Sequence, residues 1–297
     1  MPGSITDTDT DTDTEAEAET VGAATAATAA EGTEETADGG ALRVDRSWWT
    51  WNGAQGGYVA SLALTAMRDD LAARTGERPP VRTLGAHFLA PVDERPLRLA
   101  ATTVRQGGRT SVSSVTATQD GAPALTGTAV FGRSEAGPAY AGTIAPDVPG
   151  PGACAPFALP RELVPFAAHL EIRPARGPLP LAGGDRAELT AWMRFADGRP
   201  VDAEALAVLT DALPPALFAV WTEPRPVPTV ELTVHFTDVV DDDAPTAGWV
   251  LVRSRTEHAG SGWAVDDSAV WTGDGRLLAL ARQARAVRDF RGAARHG

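Results

Sequence analysis

LTDALPPALFAVWTEPRPVPTVELTVHF, running from Leu209 to Phe236, is the stretch whose reading decides the fold. Asp211 stands just ahead of Leu213-Pro214-Pro215, and proline suits the first turn of a helix, where its missing N–H is not needed. The sequence therefore predicts a helix entered at an acid, with the apolar run Leu217-Phe218-Ala219-Val220-Trp221 packed on a core. Prolines at 224, 226 and 228 close that helix and fix an extended turn. Thr229 to Phe236 then alternates with a period of two, the pattern of a half-buried strand. Strict alternation puts Thr229, Glu231, Thr233 and His235 on one face and Val230, Leu232, Val234 and Phe236 on the other. An acid at a helix entry opposite a polar strand face can support chemistry. It can equally be a capping Asp beside a solvated strand.

Working outward, the second half carries strand-like segments at 169–173, 188–195, 248–255, 263–271 and 277–287, with Gly273-Asp274-Gly275 as a hairpin turn. The first half repeats this plan. Gly53-Ala54-Gln55-Gly56-Gly57 opens a helix in which Val59, Leu62, Ala63, Ala66 and Met67 recur at helical spacing. Strands are predicted at 83–89, 97–106, 109–119 and 124–131. One helix followed by consecutive antiparallel strands is an α+β pattern. His87-Phe88 echoes His235-Phe236, and Asp120-Gly121 echoes Asp274-Gly275, in the same order. The expected organisation is an N-terminal unit at 41–135, a Pro/Gly/Ala-rich linker at 136–165 and a C-terminal unit at 166–290.

The 297 residues are 43% hydrophobic and 22% charged, values of a globular protein. The net charge of −13 is concentrated at one end, because residues 1–40 hold eleven acids and no Lys or Arg. Setting those eleven aside from the chain's 39 leaves 28 acids against 26 bases, about −2. Nothing in that balance points to nucleic acid. The low-complexity Thr/Asp/Glu/Ala segment 1–40 is expected to be disordered. Cys154 is the single cysteine, so no internal disulfide is possible and a thiolate metal site is not expected. No apolar run reaches the length of a membrane span, and the N-terminus lacks a basic region followed by an apolar core. A cytoplasmic protein is expected.

The glycines at 53, 56 and 57 leave backbone N–H groups at a positive helix end, which suits a carbonyl oxygen or phosphate, although no P-loop Lys-Ser/Thr follows. A tight packing turn is the other reading of this segment. No Gly-x-Ser-x-Gly elbow exists. His87 and His235 read as structural strand residues. His169, His258 and His296 lack a recognisable partner, and Asp241-Asp242-Asp243 reads as a solvated turn.

Taken together, the repeated helix-then-sheet plan resembles a double hot-dog fold, and its details resemble the acyl-CoA thioesterase II (TesB-like) family over most of residues 45–288. The likeness rests on Gly53-Ala54-Gln55, Phe88-Leu89-Ala90-Pro91 and Arg105-Gln106-Gly107-Gly108 in the first half. In the second half it rests on Glu171-Ile172-Arg173-Pro174, Asp211, Thr229-Val230-Glu231 and Asp274-Gly275, with Gln283 and Arg288 downstream. The resemblance implies thioester hydrolysis by direct attack of water. The water is positioned by Asp211, Thr229 and Gln283; beside this, Gln55, Gly56 and Gly57 are the expected substrate and oxyanion contacts, with the start of the second-half helix as the other candidate for the oxyanion donors. It implies an acyl-CoA substrate, no metal or redox cofactor, and a homo-oligomer of paired double hot-dog chains. Glu231-Leu232 departs from the family's Asp-His, and Ala54 stands where glycine is common. Other hot-dog enzymes are equipped differently: residues 52–67 contain no acid, and no hydratase motif is present. The competing reading is a non-catalytic acyl-CoA-binding protein on the same fold.

Overall fold

A computed structural model describes residues 33–35, 40–241 and 246–289. The acidic segment 1–40 lies outside them apart from Gly40 and β1 (Thr33–Glu35), a short strand pairing antiparallel with β2 (Ala41–Val44). A small hairpin of β3 (Trp49–Thr50) and β4 (Gly53–Ala54) leads into α1 (Gly56–Thr75). The first half continues with β5 (Val81–Phe88), β6 (Leu97–Gln106), β7 (Thr110–Gln119) and β8 (Ala122–Gly132). The second half comprises β9 (Leu170–Arg176), β10 (Glu188–Phe195), α2 (Ala203–Thr210), β11 (Thr229–Phe236), β12 (Val250–Gly260), β13 (Trp263–Thr272) and β14 (Leu277–Ala286).

Twelve strands form one sheet in the order β1-β2-β6-β7-β8-β5-β11-β14-β13-β12-β10-β9. The halves join where β5 pairs antiparallel with β11, Leu84 opposite Val234 and Ala86 opposite Leu232. Each half wraps its sheet around its helix, and one continuous core spans both, so the fold is a double hot-dog. On β7 the buried side follows the sequence alternation: Ser111, Ser113, Val115, Ala117 and Gln119. Asp120-Gly121, both at positive φ, make the tight turn between β7 and β8 that their dipeptide predicts.

The two halves match residue for residue. Leu84 faces Ala129, which faces Ser113, across β5, β8 and β7. Leu232 faces Gln283, which faces Asp266, across β11, β14 and β13. A register shift opens β5 between Val81 and Thr83, and another opens β11 between Thr229 and Glu231.

Helix α1 lies deep in the sheet, with every residue from Gly57 to Leu64 buried. Fully covering a leucine such as Leu62 or Leu64 is worth about 2 kcal/mol. It ends at Gly76, whose φ of 71° is the left-handed stop that glycine supplies. The crossing of α1 with α2 is equally close. A Cβ on Gly57 would stand 2.4 Å from the Ala207 carbonyl oxygen, so no side chain fits there.

The structure corrects the expectation for residues 209–221. The helix of the second half precedes Asp211 instead of following it. Asp202 caps α2 by accepting from the Ala205 N–H at 2.8 Å, and Asp211 is the C-terminal cap. The Leu217 run forms only a single 3₁₀ turn, Ala216–Ala219. Pro214 and Pro215 account for this, since both lack an N–H and each disfavours helical backbone in the residue before it.

The connecting segment after β8 packs on the outer face of the second half. Trp192 donates its indole N–H to the Pro149 carbonyl at 2.8 Å, and Trp271 to the Thr143 carbonyl at 3.2 Å. With Cys154, Leu251 and Ala269 these tryptophans form a second, smaller apolar cluster. Asp241 is no solvated turn residue either: Arg82 and Ser134 both donate to its carboxylate at 2.6 Å. Asp242, Asp243 and His296 lie outside the described residues.

Candidate functional site

Asp211 sits where the C-terminus of α2 meets the N-terminus of α1, with its side chain 8% exposed. A helix C-terminus repels a carboxylate, and a helix N-terminus attracts one. The side chain answers this by turning to α1: Oδ2 accepts from the Gly57 N–H at 3.0 Å. Gln55 secures the same corner. Its Oε1 caps α1 by accepting from the Tyr58 N–H at 2.5 Å, and its Nε2 donates to the Asp211 carbonyl at 3.0 Å and to Oδ2 at 3.4 Å. Gly56 makes the approach possible, for a Cβ there would lie 2.8 Å from Oδ2. Among the described residues the Gly56 N–H has no hydrogen-bond acceptor.

The other carboxylate oxygen faces the sheet. Oδ1 accepts from the Thr229 hydroxyl at 3.2 Å and from Gln283 Nε2 at 2.6 Å. Thr229 reaches this position because of the shift between Thr229 and Glu231. A bulge adds a residue and reverses the alternation behind it. Thr229 therefore shares the inner face with Leu232 and Val234, correcting the expectation that it lies with Glu231, Thr233 and His235.

All three residues expected to position water thus meet at one carboxylate. Of the expected oxyanion contacts, Gln55 and Gly57 bond to Asp211 itself, and Gly56 flanks it.

A residue absent from the sequence reading lies behind them. Arg285 is 5% exposed; it donates through Nη1 to Thr229 Oγ1 at 2.8 Å and through Nη2 to Gln283 Oε1. Nη2 lies 3.5 Å from Asp211 Oδ1, and Nε lies 2.8 Å from Oδ2 of Asp266, which is 1% exposed. The Thr256 hydroxyl donates to the other Asp266 oxygen at 2.6 Å. Its signal in the sequence is positional: Arg285 lies two residues beyond Gln283, on the same strand face.

Nearby, the expectation that His169 has no partner is also corrected. Its ring stacks on Trp48 at 4.1 Å, Trp48 stacks on Tyr58 at 4.2 Å, and Nε2 lies 2.9 Å from Ser47 Oγ. Burial, reinforced by the charge of Arg199, holds the imidazole pKa below its usual value.

Two helix-in-sheet halves with a polar cluster where their helices meet define a double hot-dog protein. The acyl-CoA thioesterase N-terminal domain model matches residues 45–132 and the acyl-CoA thioesterase C-terminal domain model matches 149–287; the chain belongs to the acyl-CoA thioesterase family. It is similar to an uncharacterised protein of Mycobacterium tuberculosis, 26% identical over 271 residues, covering 81% of this chain and 88% of the relative. Among solved structures it resembles a conserved hot-dog protein of unknown function from Alicyclobacillus acidocaldarius, 27% identical with a TM-score of 0.77, over 88% of this chain and 97% of that one. An acyl-CoA thioesterase II from Mycobacterium marinum shares the fold at 23% identity and a TM-score of 0.65, over 88% of this chain and 96% of that one. Among the described residues no helix is long and apolar enough to cross a membrane.

Proposed function

We propose that this chain hydrolyses acyl-CoA thioesters to the free acid and coenzyme A by direct attack of water, with Asp211 as base. One observation carries the reading. In a member of the acyl-CoA thioesterase family, an almost buried carboxylate is gripped by a hydroxyl, an amide and a helix N-terminus at once. A carboxylate so held is fixed in direction, and a positioned carboxylate can act as a general base toward water.

In the proposed sequence, water bound against Asp211 attacks the thioester carbonyl carbon and gives a proton to the carboxylate. Thr229 and Gln283 hold that carboxylate and orient the water. The oxyanion develops near the first turn of α1, where the free N–H of Gly56 and the helix dipole favour negative charge. Collapse breaks the C–S bond, and the departing thiolate takes the proton from Asp211.

The test is thiol release from acyl-CoAs of graded chain length, with Asp211→Asn beside wild type. Turnover by wild type, and its loss in a folded Asn variant, is the expected result. No cleavage of any thioester, with acyl-CoA still raising the melting temperature, would overturn hydrolysis in favour of binding.

A further inference from the structure

Thr229 and Gln283 can each point the wrong way. A hydroxyl has one proton and two lone pairs, and an amide presents a donor on one side and an acceptor on the other. For both to donate to Asp211, something must occupy the opposite poles. Arg285 does so: one arm of the guanidinium takes a lone pair of Thr229 Oγ1 at 2.8 Å, and the other takes Gln283 Oε1. The hydroxyl proton and the amide NH₂ are then left for Asp211 Oδ1, at 3.2 and 2.6 Å.

We propose that Arg285 is a positioning residue for thioester hydrolysis, setting the donor polarity of Thr229 and Gln283 while paired in the core with Asp266. This rests on the hydrolase reading above.

The fold itself supplies a control. Thr229 faces Arg285 beside the β11 bulge, and at the same step of the first half Val81 faces Phe131 beside the β5 bulge. Phe131 is fully buried, and Ser113 occupies the place of Asp266. The same backbone site therefore closes well around an apolar side chain. Buried ion pairs are often replaceable by apolar residues without loss of stability, so packing gives no reason for an arginine here. The carboxylate site supplies one. Lysine would keep the charge but lose the planar fork that addresses two acceptors at once.

The experiment compares wild type with Arg285→Lys and with the double variant Arg285→Met/Asp266→Leu, measuring thermal melting, kcat and KM on the best acyl-CoA. The expected result is that both variants fold and that kcat falls about 10- to 100-fold while KM stays within about threefold, because donors are misdirected and the substrate's walls are untouched. Either folded variant retaining kcat within about twofold would overturn the positioning role. Failure of both to fold would overturn it as well, by making the arginine a structural element. Inactivity of wild type on every acyl-CoA is a distinct outcome: it removes the hydrolase reading, and this inference falls with it.

Discussion

Gly56→Ala separates the chemistry of the site from its stability. The added Cβ would stand 2.8 Å from Asp211 Oδ2 and 3.3 Å from the Phe88 ring. Comfortable contact requires roughly 0.5 Å more, and the ring blocks retreat on the other side, so the carboxylate has to yield. Oδ2 would then leave the Gly57 N–H, at 3.0 Å, and Oδ1 would drag on Gln283 at 2.6 Å. A misplacement of about 1 Å costs on the order of 10²-fold in rate, so half of that should cost about tenfold. Stability should fall by about 0–2.6 kcal/mol, since the gain of about 0.4–1 kcal/mol for Gly→Ala at a helical position offsets only part of an overpacking cost of about 1–3 kcal/mol. Thiol release gives kcat, and a thermal melt gives the stability control. A folded Gly56→Ala enzyme with kcat within twofold of wild type would refute the claim that the carboxylate's place governs turnover.

Asp211→Asn should lower kcat by about 10²–10⁴-fold, the range for losing a general base, measured on the same substrate. Gly57→Ala should act on stability first: its Cβ meets the Ala207 backbone at 2.4 Å, so a loss of about 1–3 kcal/mol is expected, read as a drop of several degrees in melting temperature. A non-hydrolysable acyl-CoA analogue should titrate with one equivalent per chain by calorimetry, because Val81, Ala129 and Phe131 stand at the matching places of the first half. For His169, the folded pKa lies below its unfolded value of about 6.5. Its neutral ring therefore contributes stability above that pH, which is lost as pH falls towards the folded pKa. Urea unfolding between about pH 5 and 7 should show this decline, and His169→Gln should flatten it.

Most strands were legible because period-two alternation maps directly onto a half-buried sheet; the bounds of β6, β10 and β11 match the sequence reading. Helix α2 was not legible for the opposite reason. All eight of its residues are buried, Glu204 and Thr210 among them, so no solvent-facing polar stripe marks it as a helix. Its capping Asp202 was the available clue, whereas the prolines after Asp211 drew the helix to the wrong side. The bulge that turns Thr229 inward left no break in the alternation, because Val230 is as good a strand residue as any. Asp211, Thr229 and Gln283 nevertheless stand out together in the sequence, because the resemblance to the thioesterase II family singles out all three. Arg285 had no such motif. Only the partners it meets across three strands mark it out.

Residue-by-residue correspondence between the halves also bears on why they share one chain. Two identical hot-dog subunits related by a twofold axis would have to carry the same residue at both mirrored places. Phe131 and Arg285, Ala129 and Gln283, and Ser113 and Asp266 could not then differ. Tandem fusion breaks that symmetry. One copy can hold an oily interior and donate a helix start, while the other commits its core to charge.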